Sequence, residues 1–138
     1  MDSAAAVTFL EATNKGVLIT LRADGRAQSS NIVFSFTDGV ARISVTDSRA
    51  KTTNLRRDAR AVLHVSSRSF WHYCSASGVA ELTEVTTQPG DATGRELLEV
   101  YNAVSDEPHP DPDEFFQAMV DDRRLVVRFR PDSFTGMV

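Results

Sequence analysis

Two Asp-Gly pairs, Asp24-Gly25 and Asp38-Gly39, separate three runs in which apolar and polar residues alternate. Alternation with a period of two is typical of a strand with one buried face, and Asp-Gly is a strong turn signal between paired strands. Residues 16–46 therefore predict three consecutive antiparallel strands, which limits the fold more than any other part of the chain. The apolar members of the runs are Val17, Ile19 and Leu21, then Ile32, Phe34 and Phe36, then Ala41, Ile43 and Val45.

The rest of the chain predicts three more strands and four helices. Six strands with strongly apolar faces and helices at the margins predict a mainly β protein, built as a small six-stranded antiparallel barrel. A chain of 138 residues fits one domain, so we expect residues 1–138 to form a single domain. The predicted strands cover 61–66, 70–83 and 124–130, and the predicted helices cover 3–14, 49–57, 92–104 and the segment from Pro112 onward.

Composition restricts the partners and the compartment. A formal charge of −4 and a pI near 5.3 argue against nucleic acid or an anionic membrane as the main partner. Cys74 is the single cysteine, which excludes an internal disulfide and fits a reducing compartment. The first residues include Asp2 instead of a basic segment, and their apolar run is interrupted by polar residues. We therefore expect neither a signal peptide nor a membrane span, and a cytoplasmic location.

The segment RAKTTNLRRD, residues 49–58, places Arg49 and Lys51 where a helix is expected to begin. Asp47 or Ser48 could cap this helix, but the helix dipole makes the same end partly positive, so cations there are slightly unfavourable. Free backbone N–H groups beside a guanidinium and an ammonium form an anion site, most naturally for phosphate or carboxylate. The alternative is a surface turn whose two basic side chains simply extend into solvent.

Two strand segments carry further candidates. Four consecutive polar residues, 28–31, occur in an otherwise apolar strand, so two of them face the buried or grooved side unless the strand is an exposed edge. Trp71 and Tyr73 are expected on one strand face, as a stacking wall, an oligomer contact or part of the core.

Several kinds of catalytic site are missing from the sequence. The histidines do not cluster at metal-ligand spacing, which with one cysteine argues against a metal site. Cys74 is expected to be a small buried hydrophobe and not a nucleophile. Nucleophile-elbow, phosphate-loop and dinucleotide motifs are absent. These observations disfavour a hydrolase that depends on its own side chains.

The chain resembles the split-β-barrel flavin and deazaflavin oxidoreductases, the pyridoxamine-phosphate-oxidase-like superfamily, and within it the actinobacterial branch that uses the deazaflavin coenzyme F420. The resemblance implies a split β-barrel and a homodimer that binds two cofactors in grooves between its subunits. It rests on GVLITLRADGRAQSSN (16–31), SRAKTTNLRRDARAVLHV (48–65), WHYCSASGVAELT (71–83) and FFQAMVDDRRLVV (115–127).

The resemblance also implies a role for each candidate residue. Arg49 and Lys51 would hold the anionic phosphate or oligoglutamate tail of the cofactor. On this chain Arg56 and Arg57, with Arg22 or Arg26 of the first Asp-Gly hairpin as further candidates, could form a basic path for the rest of that tail. Trp71 and Tyr73 would come from the partner subunit. The remaining cofactor contacts would be Val17 to Thr20, Gln28, Ser30 and Asn31 at the ring, and Ser44, Ala50 and Thr52 along the same groove.

The implied activity is hydride transfer from reduced F420 to a conjugated organic acceptor such as an enone, a quinone or a tetrapyrrole. A deazaflavin has carbon where a flavin has its reactive nitrogen, so it moves hydride, and the protein contributes mainly orientation and electrostatics. No side chain matches a family base or nucleophile, and the proton could come from Tyr73 or from water. The alternatives are an FMN enzyme of the same superfamily and a non-catalytic F420-binding or carrier protein.

Overall fold

A computed structural model describes all residues, Met1–Val138. Seven strands form one antiparallel sheet in the order β2-β1-β5-β6-β7-β4-β3. The strands are β1 Lys15–Leu21, β2 Ala27–Val33, β3 Ser35–Thr37, β4 Val40–Thr46, β5 Arg60–Ser66, β6 Tyr73–Leu82 and β7 Arg124–Met137. The helices are α1 Ser3–Glu11, α2 Ala50–Arg57, α3 Ala92–Val104 and α4 Pro112–Asp121.

The two edge strands of this sheet, β2 and β3, are consecutive in the chain and separated only by Phe34. One sheet can have its opposite edges joined by a single residue only if it curls until the edges meet. The Phe34 side chain is fully buried, and its backbone N–H donates to the carbonyl of Asn14 at 2.8 Å. The split-barrel prediction is therefore confirmed, with seven strands instead of six because the expected strand 27–36 is interrupted at Phe34.

The barrel interior is filled from alternating positions of the strands, but on β1 the buried face is the opposite of the expected one. Val17, Ile19 and Leu21 are only partly buried there, whereas Leu18 and Thr20 face the interior. Leu18, Ile43, Leu63 and Phe129 come from four different strands and are almost fully buried. A second, smaller cluster lies outside the barrel, where α3 and α4 cover the outer face of β7. This outer layer matters for function because it forms one wall of the pocket described below.

The helices begin within one residue of their predicted starts, but their capping side chains follow the sequence less closely. The predicted start of α4 is confirmed: Asp111 accepts a hydrogen bond from the N–H of Glu114, and Pro112 occupies the first turn. At α1 the capping side chain is Asp2, which accepts a hydrogen bond from the N–H of Ala5. The predicted cap of α2 by Asp47 or Ser48 is wrong, because that helix begins after Arg49 without any capping side chain. None of the four helices has the length and apolar character needed to span a bilayer.

Candidate functional site

The start of α2 presents free hydrogen-bond donors. The N–H groups of Ala50, Lys51 and Thr52 find no acceptor within the chain, as expected for the first turn of an uncapped helix. The hydroxyl of Thr52 points inward and donates to the carbonyl of Thr46 at 2.8 Å, and Thr52 is fully buried, so its side chain is not available to a ligand. An uncapped helix start of this kind attracts negative charge.

Asp47 does not cap α2 because two arginines occupy its carboxylate. Arg56 lies 2.6 Å from one oxygen, and Arg123 lies 3.0 Å from the other. Hydrogen bonds from Arg123 and Arg56 lower the pKa of the Asp47 carboxyl. Asp47 is thus an anion already neutralised, and it leaves the cations at the helix start without a partner.

Lys51 is half-buried and forms no ion pair. Burial lowers the pKa of its ammonium, and the positive charges of Arg49 and Arg124 lower it further. A desolvated ammonium among other cations is unfavourable unless an anion joins it. This electrostatic arrangement favours the anion-site interpretation over a solvated turn.

Arg124, the first residue of β7, belongs to the same cluster. Its Nη1 donates to the hydroxyl of Ser44 at 3.2 Å, across the pairing of β4 with β7. Its Nε is buried without a hydrogen-bond acceptor and lies 3.6 Å from the carboxylate of Asp122. Arg124 therefore has unused donor capacity at the site.

Three adjoining concavities run from this cluster along the outside of the barrel. The cationic pocket, of about 420 Å³, contains Ser44, Lys51 and Arg124 and is walled by apolar residues of α3 and α4. The strand groove, of about 430 Å³, shares Asn31 with it and also contains Val17. The aromatic pocket, of about 220 Å³, shares two residues with the strand groove and is lined by His64, Ser66, Phe70, Trp71 and Tyr73.

The structure thus brings together six of the predicted site residues along one connected surface. Ser44 and Lys51 lie in the cationic pocket, Val17 in the strand groove, Asn31 in both, and Trp71 and Tyr73 in the aromatic pocket. A single chain contains all three concavities. Trp71 lies in the bend before β6, so it does not share a strand face with Tyr73 as predicted.

The other predicted site residues lie outside these concavities. Arg49 and Ala50 are exposed at the helix start. Ser30 lies on the same face of β2 as Gln28, opposite to Asn31. Thr20 is buried and, together with Gln28, accepts hydrogen bonds from Asn54 of α2.

Asn54 is a residue that sequence reasoning missed. Its Nδ2 lies 3.1 Å from the hydroxyl of Thr20 and 3.0 Å from Oε1 of Gln28, and its Oδ1 accepts from Arg57 at 3.0 Å. Arg57 also donates to the carbonyl of Leu21 at 2.7 Å. These bonds fasten α2 to β1 and β2 and so fix the position of the helix start. The only signal in the sequence was a polar residue on the inward face of a short helix.

No three histidine, cysteine, aspartate or glutamate side chains lie close enough together to hold a metal ion. Burial raises the pKa of the Cys74 thiol, which is in the barrel core. A buried thiol with a raised pKa is a poor nucleophile.

No model of a known protein family matches the chain. Solved structures do. A structure named F420 reductase is 24% identical, covers 93% of this chain and 94% of its own, and superposes with a TM-score of 0.65. The conserved hypothetical protein Rv2991 from Mycobacterium tuberculosis is 21% identical over 99% of this chain and 84% of its own, with a TM-score of 0.77.

A Listeria innocua protein provisionally assigned as a pyridoxamine 5'-phosphate oxidase is 14% identical over 96% of this chain and 95% of its own, with a TM-score of 0.68. Identities this low show only that the fold is shared, since one fold can host many different activities. The chain has a split β-barrel fold. This is the fold that the sequence resemblance implied, and it is shared with all three of these structures.

Proposed function

We propose that the protein is an oxidoreductase that binds coenzyme F420 and uses its reduced form to transfer hydride to a conjugated organic acceptor. The observation that carries this proposal is Lys51, a half-buried ammonium without an ion-pair partner, at one end of a long groove. A polar anchor for an anionic tail, continuous with a groove for a flat ring, fits a tricyclic cofactor with a phosphate.

The residues present fit such a cofactor. Lys51 and Arg124, with the free N–H groups of the α2 start, would hold the phosphate, and Ser44 would bind beside it. Val17 and Asn31 would lie along the ring in the strand groove. When bound, the deazaflavin supplies hydride chemistry, and the chain supplies orientation and a fixed electrostatic environment.

Fewer basic residues are available to bind an oligoglutamate tail than the sequence suggested. Arg56 pairs with Asp47, and Arg57 donates to Leu21 and Asn54, so both are used to fasten α2. Arg49 forms no ion pair and is exposed at the helix start. The tail would therefore leave the cationic pocket past Arg49.

A homodimer is part of this proposal. The outer face of β1, β5 and β6 carries a strip of partly exposed apolar side chains, Ile19, Leu21, Val62 and Val79, around a concavity of about 480 Å³. Apolar sheet faces of this kind are usually covered, and a second copy of the chain is the simplest cover for them.

FMN is the second candidate cofactor. Its tricyclic ring, ribityl chain and single phosphate need one compact cationic site, and Arg49, Lys51 and Arg124 influence one another at one place. The engagement of Arg56 and Arg57 in internal bonds favours this candidate, because it reduces the basic surface available to a longer polyanion.

Competition between the two cofactors tests the proposal. We expect F420 to bind more tightly than FMN at low salt, with the difference narrowing as ionic strength rises, because the additional glutamates are screened. The titration follows cofactor fluorescence. Tighter binding of FMN at low salt, or purification of a yellow protein with stoichiometric FMN, would replace F420 by FMN.

A second measurement separates an enzyme from a carrier. Reduced F420 is mixed with the protein and a panel of enones, quinones and tetrapyrroles, and oxidation of the cofactor is followed by its absorbance. We expect at least one acceptor to be reduced. Tight binding of F420 without turnover of any acceptor would indicate a cofactor carrier.

A further inference from the structure

The turn between β5 and β6 exposes two large aromatic side chains. Phe70 and Trp71 are 66% and 75% exposed, and their rings form an edge-to-face pair with centroids 5.3 Å apart. The turn itself is ordered by hydrogen bonds from Ser67 N to His72 O at 2.8 Å and from Phe70 N to Ser67 O at 2.9 Å. Adjacent exposed aromatics on an ordered turn usually mark a contact surface.

Phe70 also has a backbone φ of 76°, in the left-handed region. A bulky residue is strained in this region, whereas glycine would not be. Neither the strain nor the exposure of Phe70 stabilises the fold. Features of this kind cluster at ligand contacts, so the turn calls for a binding role.

The aromatic pocket beneath this turn is small and has no carboxylate, lysine or arginine in its lining. Its lining consists of Phe70, Trp71, Tyr73, His64 and Ser66, and its volume is about 220 Å³. The faces and edges of three aromatic rings suit a flat, unsaturated ring system, which they contact by stacking or edge-on. The volume is sufficient for one or two fused rings.

His64 lies where the aromatic pocket meets the strand groove and lines both. It is half-buried on the outer face of β5, with Val17 of β1 opposite it on one side and Ser75 of β6 on the other. Its ring centroid lies 5.5 Å from that of Tyr73, and its Nε2 lies 3.5 Å from the hydroxyl of Ser66. A ligand in the aromatic pocket and a cofactor ring in the strand groove would both adjoin this imidazole.

We infer that the aromatic pocket binds the planar conjugated ring of the acceptor and that His64 is a catalytic residue that donates a proton to the acceptor's carbonyl oxygen. This inference rests on the proposed function for the source of hydride. Hydride adds to the conjugated carbon and reduces the acceptor by two electrons, while the former π electrons move to oxygen. The N–H bond of the His64 imidazolium breaks, an O–H bond forms, and water returns a proton to the imidazole.

Trp71 is the single tryptophan of the chain, so its fluorescence reports the pocket without any cofactor. The probe is 2-methyl-1,4-naphthoquinone, corrected with N-acetyltryptophanamide for collisional quenching. We expect saturable quenching. Phe70→Gly should weaken binding at least fivefold without lowering the melting temperature, because glycine relieves the strained φ while the ring is lost. His72→Ala, on the same turn but outside the pocket, should bind as the wild type does.

Three outcomes would overturn the pocket. The first is quenching that does not saturate, and the second is an affinity of Phe70→Gly for the quinone equal to that of the wild type. The third is a wild-type emission spectrum that shifts with protein concentration, together with loss of quinone binding at high protein concentration. The last would mean that a second copy covers the turn. Binding of the quinone without any binding of F420 would instead contradict the proposed cofactor, while the aromatic pocket would still be a binding site.

The role of His64 is tested with a hydroxynaphthoquinone whose oxyanion persists from pH 5 to pH 8. The other titratable groups beside His64 are Lys15, which lines the strand groove with it, and Tyr73, whose ring packs against the imidazole. The affinity of the wild type should fall about tenfold as the pH rises, since a charge-assisted hydrogen bond is lost. His64→Gln should bind with an affinity that does not change with pH. An unchanged pH dependence in His64→Gln would assign the titration to another group and overturn the role of His64.

Discussion

The guanidinium of Arg124 donates a hydrogen bond from Nη1 to Ser44 Oγ at 3.2 Å, joining two strands that are 80 residues apart in the chain. The bond holds the arginine against the wall of the cationic pocket. Its Nε remains buried without an acceptor. Arg124 is therefore held in place where the anionic part of a ligand would bind, and its guanidinium still has a donor without an acceptor.

We expect Arg124→Gln to weaken F420 binding by about 1.5–3 kcal/mol, the contribution of a hydrogen bond to a charged group. Glutamine keeps a donor for Ser44 but loses the charge. The matched control is Arg130→Gln, which removes an exposed arginine of the same strand outside the cationic pocket. Titration of cofactor fluorescence measures both variants, and equal losses in the two would mean that only general charge attraction is involved.

Lys51→Met should separate stability from binding. In the unliganded protein the Lys51 ammonium is partly desolvated and repelled by Arg49 and Arg124, which lower its pKa, so its charge opposes folding at neutral pH. We expect Lys51→Met to raise the melting temperature of the unliganded protein and to weaken F420 binding at least tenfold. Thermal unfolding and cofactor titration give the two values.

The destabilising effect of the Lys51 ammonium should depend on pH. Because the pKa of Lys51 is lower in the folded protein, the unfavourable contribution is present below that pKa and fades as the pH rises through it. The gain from Lys51→Met should therefore shrink at alkaline pH. Lys15→Met, at an exposed position, is the control and should leave the melting temperature unchanged. A destabilised Lys51→Met would contradict the unpaired-cation interpretation.

The barrel was predictable because its information is local. Alternation and Asp-Gly turns specify strands within a few residues, and the buried residues Ile43 and Phe129 follow from that period, whereas Leu18 lies on the face of β1 that the alternation did not predict to be buried. The extra strand was missed because Phe34 is apolar and continues the alternation, while the break at that residue comes from closure of the barrel. Closure depends on contacts between distant strands, which no window of sequence contains.

The candidate site was predictable only where one segment supplies several of its groups. Arg49 and Lys51 were found because both lie at one helix start. Arg124 and His64 reach their places through strand pairing with β4 and β1, and an arginine or a histidine on the outer face of a strand is ordinarily just a solvated residue. The register of strand pairing places Arg124 and His64 beside the groove, and that register depends on the whole sheet.

Asp91 should make the stability of the α3 region depend on pH. Burial of its carboxyl opposes ionisation, but hydrogen bonds from the Thr86 hydroxyl and from the N–H groups of Gly94, Thr87 and Gln88 outweigh burial, and the pKa of Asp91 falls to about 2. The stabilisation is present above the unfolded pKa and is lost as the pH falls towards the folded pKa. We expect Asp91→Asn to lower the free energy of unfolding by about 1–2 kcal/mol at pH 7, because a neutral amide cannot replace the charge-assisted hydrogen bonds that the carboxylate accepts.

Denaturant unfolding at several pH values checks this expectation. The difference between wild type and Asp91→Asn should shrink between pH 4 and pH 2, as the wild-type carboxylate becomes protonated. Asp2→Asn at α1 is the comparison, because Asp2 accepts one capping bond from Ala5 and is exposed. A difference for Asp91→Asn that stays constant down to pH 2 would contradict the charged-cap explanation.

Asn54 should couple the stability of the barrel to the geometry of the cationic pocket. Its side chain is 6% exposed and hydrogen-bonded to Thr20, Gln28 and Arg57, so Asn54→Leu leaves the buried hydroxyl of Thr20 without its partner. We expect a loss of about 1–3 kcal/mol in the free energy of unfolding, mostly the desolvation of that hydroxyl. Cofactor affinity should fall as well, because α2 carries Lys51.

The double variant Asn54→Leu/Thr20→Val distinguishes the loss of the Thr20 hydrogen bond from simple overpacking by leucine. When both partners are replaced by apolar groups of similar shape, no buried hydroxyl is left unpaired, so we expect the double variant to be more stable than Asn54→Leu alone. Cofactor affinity should stay low, since the fastening of α2 is not restored by removing Thr20. Denaturant unfolding and fluorescence titration of the four proteins complete the cycle. Additive losses of stability would show that Asn54 and Thr20 act independently, and recovery of affinity in the double variant would mean that these bonds do not position Lys51.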